Sequence, residues 1–335
     1  MESKKNAKSA RRTAAGKGRG TRKTERNEIR FIDLFAGIGG FRVALEAAGA
    51  KCVWSCEKDP LAARWYRENH GDDPTGDVTA VAAKAVPDHE ILCAGYPCQP
   101  YSTQGKGRGL ADPRGRVFHA IPAILRAKRP AAFILENVAS LGNKKHRRSH
   151  DRIVAALETA GYAVRETVLN AREFGLPQSR RRLFMVGFRR SLGTVPFTWP
   201  KRGRLATNRD DFLDETPDRA CYFGADTVAE LLRASDLQRA KGNQWSVKFA
   251  SRKHVRTLLS APHRTQDNII IGLDGRWRRL TPNEYRKFQG FPEGFKLPAE
   301  SRHAYMLLGN SVAVPVVRAV AENVIAALRG EKPGR

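Results

Sequence analysis

A chain of 335 residues, 41% of them hydrophobic, can bury a sizeable core as one large domain or two smaller ones. Its 60 basic residues outnumber 34 acidic ones, a formal net charge of +26 that points to a polyanionic partner, although ribosome-associated proteins share this balance and charge alone leaves the polyanion open. Five cysteines, an odd number with no C-x-x-C pair, argue against a disulfide scaffold and a zinc ribbon, and we count no run of about 18 apolar residues, so we expect reduced thiols, no bound metal, no membrane span and a cytoplasmic protein.

Residues 1–28 hold ten Lys or Arg among small and polar residues with almost nothing to bury, which predicts a disordered basic arm. Such an arm either contacts phosphate or serves as a solubilising tail. Ordered structure is expected from about Arg30. Residues 31–35 read as a strand that ends in Gly37, Gly39 and Gly40, and 42–48 as a helix closed by Gly49. A second strand follows at 52–56, then a helix at 61–68, and Gly76-Asp77 ends a plausible third segment. Residues 90–94 form a strand that enters a loop rich in Gly, Pro, Gln and Ser. A helix at 117–127 and a strand at 132–135 come next. Ile153, Val154, Leu157 and Ala160 share one face of a helix stopped by Gly161, and strands at 162–169 and 183–188 complete the set. This alternation predicts an α/β fold with a doubly wound, mostly parallel, Rossmann-like sheet, and ligands beyond the carboxyl ends of its strands. The period breaks near Phe188. We therefore expect a first domain over 29–189, a second, smaller one over 190–300, and a segment at 301–335 that returns to the first, helical at 316–328.

Three places carry chemistry. Gly37-x-Gly39-Gly40 lets the backbone approach a ligand closely at a helix N-terminus, with Glu57 placed to accept from ribose hydroxyls and Asp77 from an adenine amino group. Read alone, the glycines also fit a bare strand-to-helix turn, and Arg42 at the sixth position argues against a dinucleotide. Pro97-Cys98-Gln99-Pro100 follows a strand and precedes a loop holding Gly105, Gly107, Arg108, Gly109, Arg114 and Arg116. A thiol there fits either a lowered-pKa nucleophile or a small apolar plug under a proline turn, whereas Cys93, inside the strand, reads as core. Glu136-Asn137-Val138 follows the strand at 132–135, so Glu136 is either a helix N-terminal charge with Asn137 as cap, or an acid beside the thiol.

Six blocks then occur in order: Phe31-Ile-Asp-Leu-Phe-Ala-Gly-Ile-Gly-Gly40, Ala94-Gly-Tyr-Pro-Cys-Gln-Pro100, Leu135-Glu-Asn-Val138, Gln178-Ser-Arg-Arg-Arg182, Phe288-Gln-Gly-Phe-Pro292 and Gly309-Asn-Ser-Val312. Together they resemble the ordered motifs of bacterial cytosine-5 DNA methyltransferases, over about 30–328. The resemblance implies a pocket for S-adenosyl-L-methionine lined by Phe35, Ala36, Gly37, Gly39, Gly40, Glu57, Lys58, Asp77, Val78 and Pro97, closed by Asn310 and Val312. It implies that Cys98 attacks C6 of a flipped-out cytosine, that Glu136 protonates N3, and that Arg180 and Arg182 hold the base and reaction centre. It implies double-stranded DNA as partner, with contacts from Gln99, Ser102, Arg114, Gln178, Lys248 and Arg256, and a target-recognition role for 190–300. We expect a monomer, with a cognate restriction endonuclease acting on the same site. The chain departs from the family's pattern at three places: Lys58 where a large apolar residue is common, Arg181 where an acid is common, and Thr257 one place early in Thr257-Leu258-Leu259-Ser260. The same chemistry on tRNA and an inactive DNA-binding relative are the alternatives; the intact set of Cys98, Glu136, Arg180 and Arg182 speaks against the second.

Overall fold

The computed structural model of the chain describes residues 28–74, 76–97, 117–204, 207–240, 253–261 and 269–331. Cys98, Gln99, Ser102, Arg114, Lys248 and nearly all of the basic arm lie outside the described residues.

Strand β1 (Arg30–Leu34) is buried along almost its whole length, so its run Phe31-Ile-Asp-Leu34 points apolar side chains to both faces. Helix α1 (Gly40–Ala47) follows after the glycine turn, then β2 (Lys51–Cys56) and α2 (Pro60–His70). Helix α2 starts where Asp59 accepts from the backbone N–H groups of Leu61 and Ala62 and Pro60 takes the first turn; it stops at Gly71 in the left-handed region. Strand β3 (Ile91–Ala94), α3 (Ala120–Lys128), β4 (Ala132–Val138), α4 (Arg147–Thr159), β5 (Tyr162–Asn170) and β6 (Arg181–Arg189) complete the first part. Helix α5 (Ala225–Ala240), the hairpin β7 (Ile269–Ile271) and β8 (Trp277–Arg279), then α6 (Pro282–Gln289), α7 (Ser301–Asn310) and α8 (Val314–Arg329) follow.

The main sheet has the order β2-β1-β3-β4-β6-β5. The first four strands are parallel, and β6 runs antiparallel to both β4 and β5. The expected α/β class and mostly parallel sheet are found. Phe31, Cys93, Ile134 and Val186 face α1 and α8, while Ile32, Leu92, Phe133 and Leu135 face α3 and α4. Cys93 has no exposed surface, as a core residue should. The first of these cores runs without a break into the later chain, through Leu213, Val255, Leu258, Ile270, Leu280 and Phe288.

Two expectations are corrected. The segment expected to end at Gly76-Asp77 is neither helix nor strand among the described residues: Asp77 instead caps a short 3₁₀ turn, Val78–Ala80, by accepting from the Thr79 N–H. The apolar count passed over Ser301–Arg329, which has an 18-residue window of mean hydropathy 1.6. That stretch is two helices, α7 and α8, broken at Ser311, and 67% of the window is buried inside the protein. It serves as core.

Candidate active site

Parallel register brings the chemistry to one edge. Leu34, Ala94 and Leu135 lie side by side in β1, β3 and β4, so the segments after them leave the sheet together. Because β6 is antiparallel, its first residues arrive at this same edge, with Arg182 opposite Val138.

The glycine turn is tightly backed on one side and open on the other. Phe35 (φ 57°) has left-handed backbone, costly for an aromatic residue, beside Gly37 (φ 58°) and Gly39 (φ 87°). A Cβ on Gly39 would overlap the His70 ring, whose Nε2 lies 3.2 Å from the Ile38 carbonyl. A Cβ on Gly37 would meet nothing within 4 Å, so the turn borders open space. Burial pushes His70 down to about 4, so the ring supports the turn as a neutral imidazole. Ala36 donates its N–H to the Cys56 carbonyl, joining the turn to the end of β2.

Glu57 sits just beyond that end. Its carboxylate accepts from the Gly37 N–H at 2.7 Å and from the Asp59 N–H at 2.7 Å, and burial raises its pKa. The Cys56 thiol donates to the Gly76 carbonyl at 2.7 Å, tying the residue before Glu57 to the residue before Asp77. Lys58 extends into solvent and pairs with Asp77 at 2.5 Å, a contact that, with Thr79, holds the Asp77 carboxyl down at about 2. In this conformation, then, the Lys58 ammonium is engaged by Asp77 and its stem is not stacked in a pocket. Val78 is buried in the core beneath. On the far side, a Cβ on Gly40 would lie 2.7 Å from Ser311 Oγ and 2.8 Å from Val312 Cγ2. The sequence-distant Val312 therefore closes on the glycine turn, with Asn310 exposed next to it.

A second cluster lies where β3, β4 and β6 meet. Glu136 and Asn137 belong to strand β4 itself, which removes the helix-cap reading of both. The Arg182 Nε stands 3.0 Å from Glu136 Oε1. Asn137, 2% exposed, donates from Nδ2 to the Tyr96 carbonyl at 3.1 Å, anchoring the backbone two residues before Cys98. Its Oδ1 accepts from the Val138 N–H. Pro97 is the last described residue before the expected nucleophile.

Several expected contacts are corrected. Gln178 is fully buried: its Nε2 donates to the Phe288 carbonyl at 2.8 Å and its Oε1 accepts from the Leu258 N–H at 3.1 Å, so it joins segments of the protein and does not face DNA. Arg180, 3% exposed, donates to the carbonyls of Leu258, Gly309 and Ser311. Its guanidinium braces the segments around the site; Arg182 alone of the pair meets Glu136. Thr257 donates to the Ser179 carbonyl at 2.8 Å, a contact that docks the 255–260 segment. Arg256 is half-buried beside the strand-like bridge of Val255 to Gln178. The sequence reading missed the bracing roles of Asn137, His70 and Gln289; Gln289 donates to the Leu308 carbonyl at 2.6 Å. Only its place inside the Phe288-Gln289-Gly290 block singled Gln289 out beforehand.

A profile of C-5 cytosine-specific DNA methylases matches residues 29–326. The Type II methyltransferase M.NlaX of Neisseria lactamica is 40% identical over 307 residues, 90% of this chain and 97% of that protein. The Type II methyltransferase M.HpaII of Haemophilus parainfluenzae is 36% identical over 323 residues, covering 90% of each. Among solved structures, the methyltransferase EhMeth of Entamoeba histolytica superposes with a TM-score of 0.75 over 90% of this chain and 99% of that one, at 20% identity, a likeness of fold. With its glycine turn, its Glu136–Arg182 pair and these relatives, the chain belongs to the C-5 cytosine-specific DNA methylase family and is a DNA (cytosine-5-)-methyltransferase.

Proposed function

We propose that the chain methylates C5 of a flipped-out cytosine in a specific duplex sequence, with Cys98 as nucleophile and Glu136 as acid. The supporting observation is the Glu136–Arg182 contact at the sheet edge where β3 leads into Pro97, with Asn137 tying the two strand ends together. Arg182 stands against one oxygen of the Glu136 carboxyl, and cytosine N3 is where charge accumulates when a thiolate adds to C6. Bonding of the Cys98 sulfur to C6, with Glu136 giving N3 a proton, breaks the ring's aromaticity and makes C5 an enamine carbon. Once C5 has gained its methyl group and lost its proton to water, the C6–S bond breaks and N3 returns its proton, which regenerates the Cys98 thiolate and the Glu136 carboxyl. A stacked base cannot reach this edge, so the cytosine must leave the duplex.

The glycine turn, Glu57, Asp77, Asn310 and Val312 are the residues that would hold S-adenosyl-L-methionine. The fit rests on the open space over Gly37, the left-handed Phe35 and a Glu57 carboxylate with lone pairs left after its two backbone bonds. When bound, the group supplies an electrophilic sulfonium methyl. Phe35, Ala36, Gly39, Gly40, Lys58, Val78 and Pro97 complete that wall in our reading, with Lys58 required to swing from Asp77. Target recognition falls to 190–300, with Arg256 and Lys248 as contacts alongside Gln99, Ser102 and Arg114 of the loop after Cys98. The Type II names of its relatives support a place in a restriction–modification system of a bacterial cytoplasm, the chain acting as a monomer with an endonuclease of the same specificity.

The test is a pair of substitutions. Glu136→Gln should bind S-adenosyl-L-methionine as wild type does yet turn over at least about a hundredfold more slowly, the scale of a lost general acid. Cys98→Ser should abolish methyl transfer with DNA binding retained. Near-normal turnover in either variant would refute the assignment, and lost cofactor binding in Glu136→Gln would move that residue to the other site.

A further inference from the structure

The basic surplus has a second concentration, in the chain that follows the Glu136 strand. After Val138 the backbone makes two 3₁₀ turns, Ala139–Gly142 and Lys144–His146, and enters α4 at Arg147. The first turn packs against β6, which carries Arg182. Buried Leu141 and His146 anchor the segment from below. Lys144, Lys145, Arg147, Arg148 and Arg152 are all exposed. Arg147 is paired with Asp151 at 3.0 Å. The other four have no ion-pair partner among the described residues.

Their arrangement works against the helix that bears them. Arg148 and Arg152 are four residues apart on the helix, so their like charges stack on one face, and Lys144 and Lys145 add two more cations in the turn just before it. Helix α4 has no acidic residue in its first turn and no side-chain cap, so the cations add to the positive end of its dipole. The carboxylates of this region, Asp151, Glu158 and Glu166, line a recess around His150 that includes none of the four cations. Apart from the Arg147–Asp151 pair, these cations are thus kept away from the carboxylates that could steady the helix.

We propose that Lys144, Lys145, Arg148 and Arg152 form a contact line for the phosphate backbone of duplex DNA, on the flank beside the target cytosine and outside the recognised sequence. The proposal rests on the reading above, in which DNA must reach Glu136; the line begins eight residues after it. Arg148 and Arg152 are about 6 Å apart along the helix axis. Each DNA strand offers a phosphate about every 3.4 Å of its own axis, so two contacts to one strand are within reach of the flexible side chains. No base edge is needed, so the line adds affinity without adding sequence preference.

The experiment is a salt titration of duplex binding by the full chain and by the variant Lys144→Gln/Lys145→Gln/Arg148→Gln/Arg152→Gln. Each lost phosphate contact should flatten the log–log slope by about 0.9, so the variant should lose roughly two units or more and bind at least about tenfold more weakly at moderate salt. Its map of methylated cytosines should match wild type. A control variant, Lys84→Gln/Arg126→Gln/Arg329→Gln, neutralises exposed cations elsewhere and should leave the slope in place. If the quadruple variant misfolds, Arg148→Gln/Arg152→Gln alone should still flatten the slope by more than the control. An unchanged slope in the variants, an equal loss in the control, or a loss confined to RNA binding overturns the proposal. Failure of wild type to methylate DNA would instead sink the underlying reading, so the two are separable.

Discussion

Asp33 has no exposed surface and sits in the middle of β1, below the glycine turn. Burial, with Glu57 adding to it, pushes its carboxyl well above the usual carboxylate range, so the folded protein holds it protonated. A folded-state pKa above the unfolded value gives stability that is complete below about pH 4 and is lost as pH rises toward the folded value. Asparagine has nearly the same shape and no proton to lose. Asp33→Asn should therefore have the higher Tm at pH 8, with the gap shrinking toward pH 5 at about 1.4 kcal/mol per unit within the titration range. Thermal melts of both proteins from pH 5 to 8 check this. A variant less stable than wild type at pH 8 would mean that Asp33 is ionised and paired. The sequence displayed Asp33 inside an apolar run but could not show its protonation, which depends on what α1 and α2 lay over it. Glu136 stood out in the sequence because so few bland roles fit a carboxylate at a strand end, and the structure sets it against Arg182, whereas Asn137 looked like a cap and proved to be a tether to Tyr96.

The segments around the site are joined by buried polar side chains. Val255 and Gln178 form a bridge, Gln178 holds Leu258 and Phe288, and Arg180 holds Leu258, Gly309 and Ser311. Gly309 lies so close to Leu259 and Ser260 that a Cβ would come within 2.4 Å of their backbone. The block at 309–312 is thus pinned between the 255–260 segment and the glycine turn. Arg180→Ala would leave three carbonyls without their donor and should cost about 3 kcal/mol or more of stability. Arg182→Ala, outside this network and with a side chain 15% exposed, removes the single pairing to Glu136 and should lower turnover at a smaller cost in stability than Arg180→Ala. Denaturant unfolding and single-turnover rates separate the two. An Arg180→Ala protein as stable as wild type but without turnover would return Arg180 to the reacting base. Sequence motifs named these residues as one block; that Arg180 lies just before β6 and turns into the interior, while Arg182 lies in β6 and meets Glu136, depends on where the strand begins, which the motif does not show.

For the molecule entire, the alternation of apolar runs and helical faces was enough to give the α/β class and the parallel half of the sheet. The insertion of antiparallel β6 between β4 and β5 was not legible, because an apolar run carries no direction. The later chain was also obscure: β7 and β8 are three residues each, too short for a period of two to stand out, and their partner helix α6 is announced mainly by its capping box of Thr281 and Glu284. Charge was legible as a total of +26 and not as a pattern, since the line along α4 appears only once the helix places Arg148 over Arg152. All of these features converge on the sheet edge that leads into Cys98. Its role is tested most directly by trapping. Duplex DNA with 5-fluorocytosine at the methylated position cannot lose its C5 substituent, so elimination of Cys98 is blocked after methyl transfer. Incubated with S-adenosyl-L-methionine, the wild-type protein should give a protein–DNA band that survives denaturation, while Cys98→Ser and reactions without cofactor should give none. Absence of that band, under conditions where ordinary DNA of the same sequence is methylated, would contradict the covalent mechanism.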